Sequence, residues 1–240
     1  MTAILDVRSV SKRYGGVTAV KDVSFTVERG QFLGLMGANG AGKTTLFSLI
    51  AGNQPVSGGD ILLNGRSITG KRPHTICGLG VARTFQIVRP FRDMTVDENV
   101  HVAALYKQRT TSAQARKMTD RALEITGLTG LRRSPAGDLT LARQKLVELA
   151  RALATGGELL LLDEIMAGLT PSEVDAMFDM LGTIRREYAL TIICVEHVMR
   201  ALMRLSERII VLHHGELVAQ GEPDAIAENP EVIRNYFGAV

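Results

Sequence analysis

The segment Gly37-Ala38-Asn39-Gly40-Ala41-Gly42-Lys43-Thr44 constrains this chain more than any other. It meets the pattern glycine, four residues, Gly-Lys-Thr, and Thr45 follows it. The glycines let the backbone curl until successive N–H groups converge on an anion. Lys43 adds a compact positive charge, and the Thr44 hydroxyl suits a hard divalent cation such as Mg²⁺. A loop of this kind requires a buried strand before it and a helix after it, because the helix N-terminus favours the phosphate. The flanks comply. Phe32-Leu33-Gly34-Leu35-Met36 is almost wholly apolar, as in a strand covered on both faces. Thr44 to Ala51 reads as a helix that ends at Gly52. The expected ligand is ATP with Mg²⁺.

A triphosphate loop needs a carboxylate for its metal. Asp163 ends the apolar run Leu159–Leu162, and open α/β sheets bind ligands at the carboxyl ends of their strands. Glu164 comes next and points elsewhere, where it can orient or deprotonate an attacking water. Read alone, the pair is also an ordinary helix N-cap.

The rest of the chain fits an α/β fold. Leu5–Val10 and Ala19–Val27 alternate in polarity, and Asn64-Gly65 marks a hairpin. From about residue 95 to 155 proline is scarce, and helix formers fill Val96–Tyr106, Ala113–Thr126 and Leu141–Ala154. Strand and helix signals then alternate: Leu159–Asp163, Pro171–Glu187, Leu190–Val195 and Met199–Leu205. A strand pair, Arg208–Leu212 and Leu217–Gln220, flanks His214-Gly215. Alternation of this kind predicts a mostly parallel sheet. A chain of 240 residues accommodates this as one domain, residues 1–86 and 157–240 forming the core and about 87–156 an inserted helical lobe.

Bulk properties exclude several alternatives. The net charge is +3 and the basic residues are scattered, so no nucleic-acid face is expected. Cys77 and Cys194 lack metal-type spacing, and Cys194 reads as a buried thiol. The N-terminus has no signal-peptide pattern, and no run of about 18 apolar residues is long enough to span a bilayer.

Taken in order, these motifs resemble the ATP-binding subunit of an ABC transporter, and the resemblance covers nearly the whole chain. It implies a P-loop NTPase core with an N-terminal antiparallel β subdomain. Tyr14 stands where the family places an aromatic residue against adenine. Gln86, in Arg83-Thr84-Phe85-Gln86, matches the glutamine that reaches Mg²⁺ and the water. Asp163 and Glu164 match the metal-binding aspartate and the catalytic glutamate. His197, in Val195-Glu196-His197, matches the histidine that contacts the γ-phosphate. The segment Ala82–Val100 and the tail Glu228–Gly238 look like the cassettes of branched-chain amino acid importers. That resemblance implies an ATPase at the cytoplasmic membrane face. Its partners would be membrane permease subunits, a second ATP-binding subunit and a periplasmic or lipid-anchored binding protein. The groove that receives the permease is expected after Gln86, near Arg89-Pro90-Phe91, although Phe91 also reads as a core residue.

One segment departs from the family. Where Leu-Ser-Gly-Gly-Gln is usual, this chain has Leu139-Thr140-Leu141-Ala142-Arg143. In this family one chain supplies the phosphate loop, and its partner supplies this segment to the same ATP. Thr140 keeps a hydroxyl, but a Cβ at Ala142 either blocks close approach to the γ-phosphate or forbids a positive φ. Ile165 replaces a usual proline, and Thr170 stands where Asp or Asn is common. Intact nucleotide motifs beside an altered Thr140–Arg143 lead to the expectation of a heterodimer. An exporter cassette for lipid or polysaccharide, a weakly hydrolysing regulator and a soluble ATPase of repair or translation are the rival readings.

Overall fold

The computed structural model describes residues 3–106, 110–196 and 199–237. Its elements run β1 (Ala3–Tyr14), β2 (Val17–Glu28), β3 (Phe32–Gly37), α1 (Lys43–Ile50), β4 (Gly58–Leu63), β5 (Arg66–Ser67), α2 (Pro73–Gly78), β6 (Val81–Arg83), α3 (Val96–Leu105), α4 (Ser112–Ile125) and α5 (Leu141–Ala154). Then come β7 (Leu159–Asp163), α6 (Pro171–Tyr188), β8 (Thr191–Val195), α7 (Met199–Leu205), β9 (Arg208–His213), β10 (Glu216–Gly221), α8 (Pro223–Ala227) and α9 (Pro230–Phe237). They group into two compact units, Met1–Ile76 with Thr191–Val240, and Cys77–Leu190.

In the first unit β3 is central. It pairs in parallel with β8 on one side, Leu33 opposite Ile193, and with β9 on the other, Leu35 opposite Ile210. Every residue of β3 and of β8 is buried, which is why neither sequence alternates. The β9–β10 hairpin is antiparallel, and its turn places His214 and Gly215 at positive φ. Cys194 is buried in β8, as its apolar neighbours led one to expect. A separate antiparallel sheet has the order β2-β1-β4-β5. Its β4–β5 turn holds Asn64 at φ 51° and Gly65 at φ 73°, the doubly left-handed geometry that an Asn-Gly hairpin favours. The long strands β1 and β2 absorb irregular register through Ser9 and Asp22, both at positive φ. Their exposed amides are met by Ser24 and Ser11 hydroxyls at 2.8 and 3.0 Å.

The second unit holds the parallel pair β6–β7 and helices α3 to α6. Strand β7, Leu159–Asp163, is buried throughout. Helices α3, α4 and α6 each start with a reciprocal capping box: Thr95 with Glu98, Thr111 with Gln114, Thr170 with Glu173. Each cap satisfies amides that a helix start leaves open, worth about 1 kcal/mol. Asp97 ties α3 to α4 and to the turn beyond it, accepting both Arg116 terminal nitrogens at 2.9 Å and Arg132 at 2.6 Å. Burial opposes its charge, but the two guanidinium groups prevail and hold its carboxyl below the usual range. Asn99, fully buried on α3, donates to the Phe91, Met94 and Thr95 carbonyls and accepts from the Phe91 amide. That single side chain fixes the loop before the helix.

The sequence-derived helices match these to within one or two residues. The first strands extend further than alternation suggested, because their bulges interrupt the pattern. Short α2, β6 and α8 had no distinct signal. The unit 77–190 contains β6, β7 and α6 as well as the helices expected between about 87 and 156.

Candidate functional site

The phosphate loop leaves the buried end of β3 and returns as α1. Ala38, Asn39 and Gly40 are exposed at its crest, whereas Gly37 and Ala41 are buried. Glycine is required for different reasons along it. A Cβ on Gly37 would lie 2.6 Å from the Leu212 carbonyl oxygen. Gly40 has open space but φ 80°. Gly42 combines φ 103° with a Cβ position only 2.4 Å from the Ala19 carbonyl oxygen. Lys43 is buried, and its ammonium donates to the Gly37 and Ala38 carbonyls at 2.5 and 3.0 Å, folding the charge over the loop. No acidic residue occupies the first turn of α1, so nothing there competes with an anion. Thr44 is exposed and Thr45 half-buried. A curled backbone with an inward cation at a helix start is a built anion cradle.

The β9–β10 turn buttresses this loop. The Gly215 amide donates to the Ala41 carbonyl at 3.0 Å, and the Lys21 amide donates to the Gly215 carbonyl at 2.8 Å. Sequence reasoning noted His214-Gly215 only as a turn. Neither its left-handed geometry nor its contact with the loop was read there.

Tyr14 closes β1 and is 45% exposed. The Lys12 ammonium sits 4.8 Å from its ring centroid and donates to the Pro55 carbonyl at 2.7 Å. A cation on an aromatic face is favourable.

In the second unit, Thr84, Asp163 and Glu164 converge at the end of the β6–β7 pair. The Thr84 hydroxyl accepts from the Asp163 amide at 3.3 Å, and the Thr84 amide donates to the Leu161 carbonyl at 2.9 Å. Asp163 is 1% exposed, and its Oδ2 accepts from Arg83 at 2.8 Å. Its Oδ1 is buried with no hydrogen-bond donor. An orphaned carboxylate oxygen fits a cation. Glu164, also buried, accepts at Oε2 from the Gln86 amide at 2.6 Å. Its backbone lies at φ 49°, rare for a side chain with a Cβ. Its carbonyl accepts from the Lys145 ammonium at 3.1 Å and from the Ala167 amide at 3.2 Å. Gln86, Asp163 and Glu164 are thus brought together as the motifs implied. Arg83 and Lys145 were missed as participants. Arg83 ends the three-residue strand β6 and Lys145 lies on the buried side of α5, and no local sequence pattern marks either.

Thr140 is the N-cap of α5, its hydroxyl accepting from the Arg143 amide at a long 3.5 Å. Leu141 and Arg143 are exposed and Ala142 is half-buried. Ala142 lies in the first helical turn with no positive φ, so the backbone objection to alanine there does not apply. The steric one concerns only an approaching ligand. Thr170 caps α6, which accounts for its hydroxyl without a further role. Phe91 is 47% exposed and lies against the Arg151 guanidinium at 4.9 Å, so it is not a core residue. His197 lies outside the described residues.

Residues 20–167 match the protein family described as ABC transporter. The chain is 37% identical to the high-affinity branched-chain amino acid transport ATP-binding protein BraF of Pseudomonas aeruginosa, over 98% of both proteins. It is 38% identical to LivG of Salmonella typhimurium, which carries the same functional description, again over 98% of both. Among solved structures, an ATP-binding cassette of an ABC transporter in its ADP conformation superposes with a TM-score of 0.88 at 27% identity, covering all of both chains. The cassette cbiO1 from Clostridium perfringens, part of an ABC transporter complex, gives 0.87 at 28% identity, over 98% of this chain and 94% of that one.

Proposed function

Because the chain belongs to the ABC transporter family of ATP-binding cassettes, we propose that this ATPase powers an importer of branched-chain amino acids or related small polar substrates. The observation that carries ATP binding is the loop: left-handed Gly40 and Gly42, with the Lys43 ammonium folded onto the Gly37 and Ala38 carbonyls. Triphosphate competes for that ammonium and gains the loop amides as well. Tyr14 offers its ring to the adenine.

Magnesium fits the same reading. Among the described residues no group of three His, Cys, Asp or Glu side chains could hold a metal by itself. A Mg²⁺ site with one carboxylate completes its shell from phosphate, hydroxyl and water. Asp163 Oδ1 and the Thr44 and Gln86 side chains are the residues assigned to it. The ion, when bound, offsets charge on the transferred phosphoryl group. Glu164 orients the attacking water and accepts its proton, and His197 contacts the γ-phosphate. Gln86 donates to Glu164 Oε2, which holds the two side chains of this reading side by side and leaves the carboxylate further acceptor sites.

The division of labour between chains follows from α5. Its exposed first turn, Thr140 to Arg143, is offered to the ATP of a second cassette. Ala142 carries a Cβ where closest approach is needed. We therefore assign this chain to a heterodimer in which its own loop is served by a different partner. The helical lobe, about residues 87–156, presents the loop around Phe91 to permease subunits at the cytoplasmic face of the membrane. No helix among the described residues is long and apolar enough to cross a bilayer.

The test is reconstitution with the permeases, the second cassette and the substrate-binding protein. Hydrolysis should rise when the binding protein is loaded with a branched-chain amino acid, and Glu164→Gln should lower it much more than the matching change in the partner. Equal losses would remove the asymmetry. Stimulation by lipid or polysaccharide instead would favour an exporter.

A further inference from the structure

Glu164 adopts its left-handed backbone without glycine's freedom. A residue with a Cβ persists there only when surrounding contacts over-determine it. One of those contacts comes from α5, and the same helix also meets the far end of the segment that Glu164 begins. Lys145, only 3% exposed, spans from that helix to the Glu164 carbonyl at 3.1 Å. Leu141, in the first turn of the same helix, lies against Gly168, where an added Cβ would meet its Cδ2 at 3.2 Å. Gly168 itself is at φ 77° and ends the short turn that Glu164 begins. The first turns of α5 therefore grip both ends of segment 164–168. Within the turn, the Ala167 amide also donates to the Glu164 carbonyl, at 3.2 Å.

From this geometry we infer that Lys145 is a positioning residue for Glu164, and that α5 and segment 164–168 move as one body. The inference rests on the reading that Glu164 handles the water and that the first turn of α5 meets the partner's ATP. Under that reading, α5 is held to one nucleotide at its N-terminus and holds the glutamate of the other through Lys145. Displacement of Thr140–Arg143 then reorients Glu164 within the same chain. The two composite sites are linked without contact between their ligands.

The test uses Lys145→Met, which keeps the apolar stem and removes the ammonium, and Lys145→Arg, which keeps a donor. In the isolated chain, amide hydrogen exchange across residues 164–168 should rise at least about tenfold in Lys145→Met, with little change in β7. Lys145→Arg should restore it. In the reconstituted transporter, kcat should fall by a similar factor in Lys145→Met while ATP affinity is kept. Even acceleration of exchange across α5 and β7 would show that Lys145 is only a buried structural cation and overturn the inference. So would unchanged exchange and kcat. If Lys145→Met does not fold, Lys145→Gln, whose amide is too short to reach the carbonyl, carries the same expectations. Glu164→Gln is measured alongside. If it leaves hydrolysis intact, the assignment of Glu164 has failed. If it abolishes hydrolysis while Lys145→Met does nothing, only the positioning role has failed.

Discussion

The phosphate loop and the β6–β7 end do comparable jobs with opposite materials. The loop is built from backbone: three glycines at close approaches or positive φ, and a lysine that donates to carbonyls. The β6–β7 end is built from side chains: Asp163 with Arg83, Glu164 with Gln86, and Lys145 reaching across to a carbonyl. A backbone cradle tolerates almost any side chain where none points inward, and almost none where one does. A side-chain cluster instead fails one partner at a time, because a buried charge that loses its counter-charge remains buried.

The comparison breaks hardest at Arg83. Arg83→Met strands Asp163 and is expected to cost about 3–5 kcal/mol of stability, read by chemical denaturation. Adding Asp163→Asn should recover most of that loss, since both charges are then gone. Failure to recover would mean that Arg83 acts through other contacts. On the loop side, Lys43→Ala should leave the fold intact and weaken ATP binding by roughly 100-fold, about 2.7 kcal/mol, consistent with loss of charge-assisted hydrogen bonds to phosphate. Nucleotide titration by fluorescence reads it, and a change under about threefold would contradict the cradle. The glycines sharpen the contrast. Gly40→Ala meets only an unfavourable φ and should cost about 1 kcal/mol, whereas Gly42→Ala also meets the Ala19 carbonyl and should cost clearly more.

The smallest effect lies away from both regions, at Asp97. Its folded carboxyl titrates below the ordinary value near 4, so it contributes stability above that pH and loses it as pH falls through the folded value. Asp97→Asn should cost about 1 kcal/mol at neutral pH and flatten the acid limb of a thermal melt against pH. A melt curve that keeps its acid slope would assign that slope to other carboxylates.

The same contrast explains what the sequence made legible. Glycine spacing and a continuous apolar strand announce a backbone device directly, so the loop and β3 could be placed without coordinates. Helices α3 and α5 were likewise marked by scarce proline and runs of helix formers, whereas their threonine caps came to light only in the fold. Which side chain meets which carboxylate depends on the β6–β7 register, and β6 is only three residues long. No local pattern announces such a strand, so Arg83 was seen as part of a motif and not as a partner of Asp163. Lys145 looked like one more helical lysine until the fold turned it inward. Ala142 shows the reverse case: a departure from pattern suggested a backbone fault, and the helical turn that contains it has none.

The Gly215 amide on the Ala41 carbonyl has a consequence for biosynthesis. The loop is encoded early, yet its buttress and one of the two strands flanking β3 are made more than 160 residues later. On the ribosome the glycine segment emerges without β8, β9 or the hairpin turn. An isolated N-terminal portion cannot pair β3 on either side, and contacts of such long range form late. The nascent chain therefore becomes competent to hold nucleotide only near the end of translation. Before that, the apolar strand Phe32–Gly37 is open to chaperones and to misassembly.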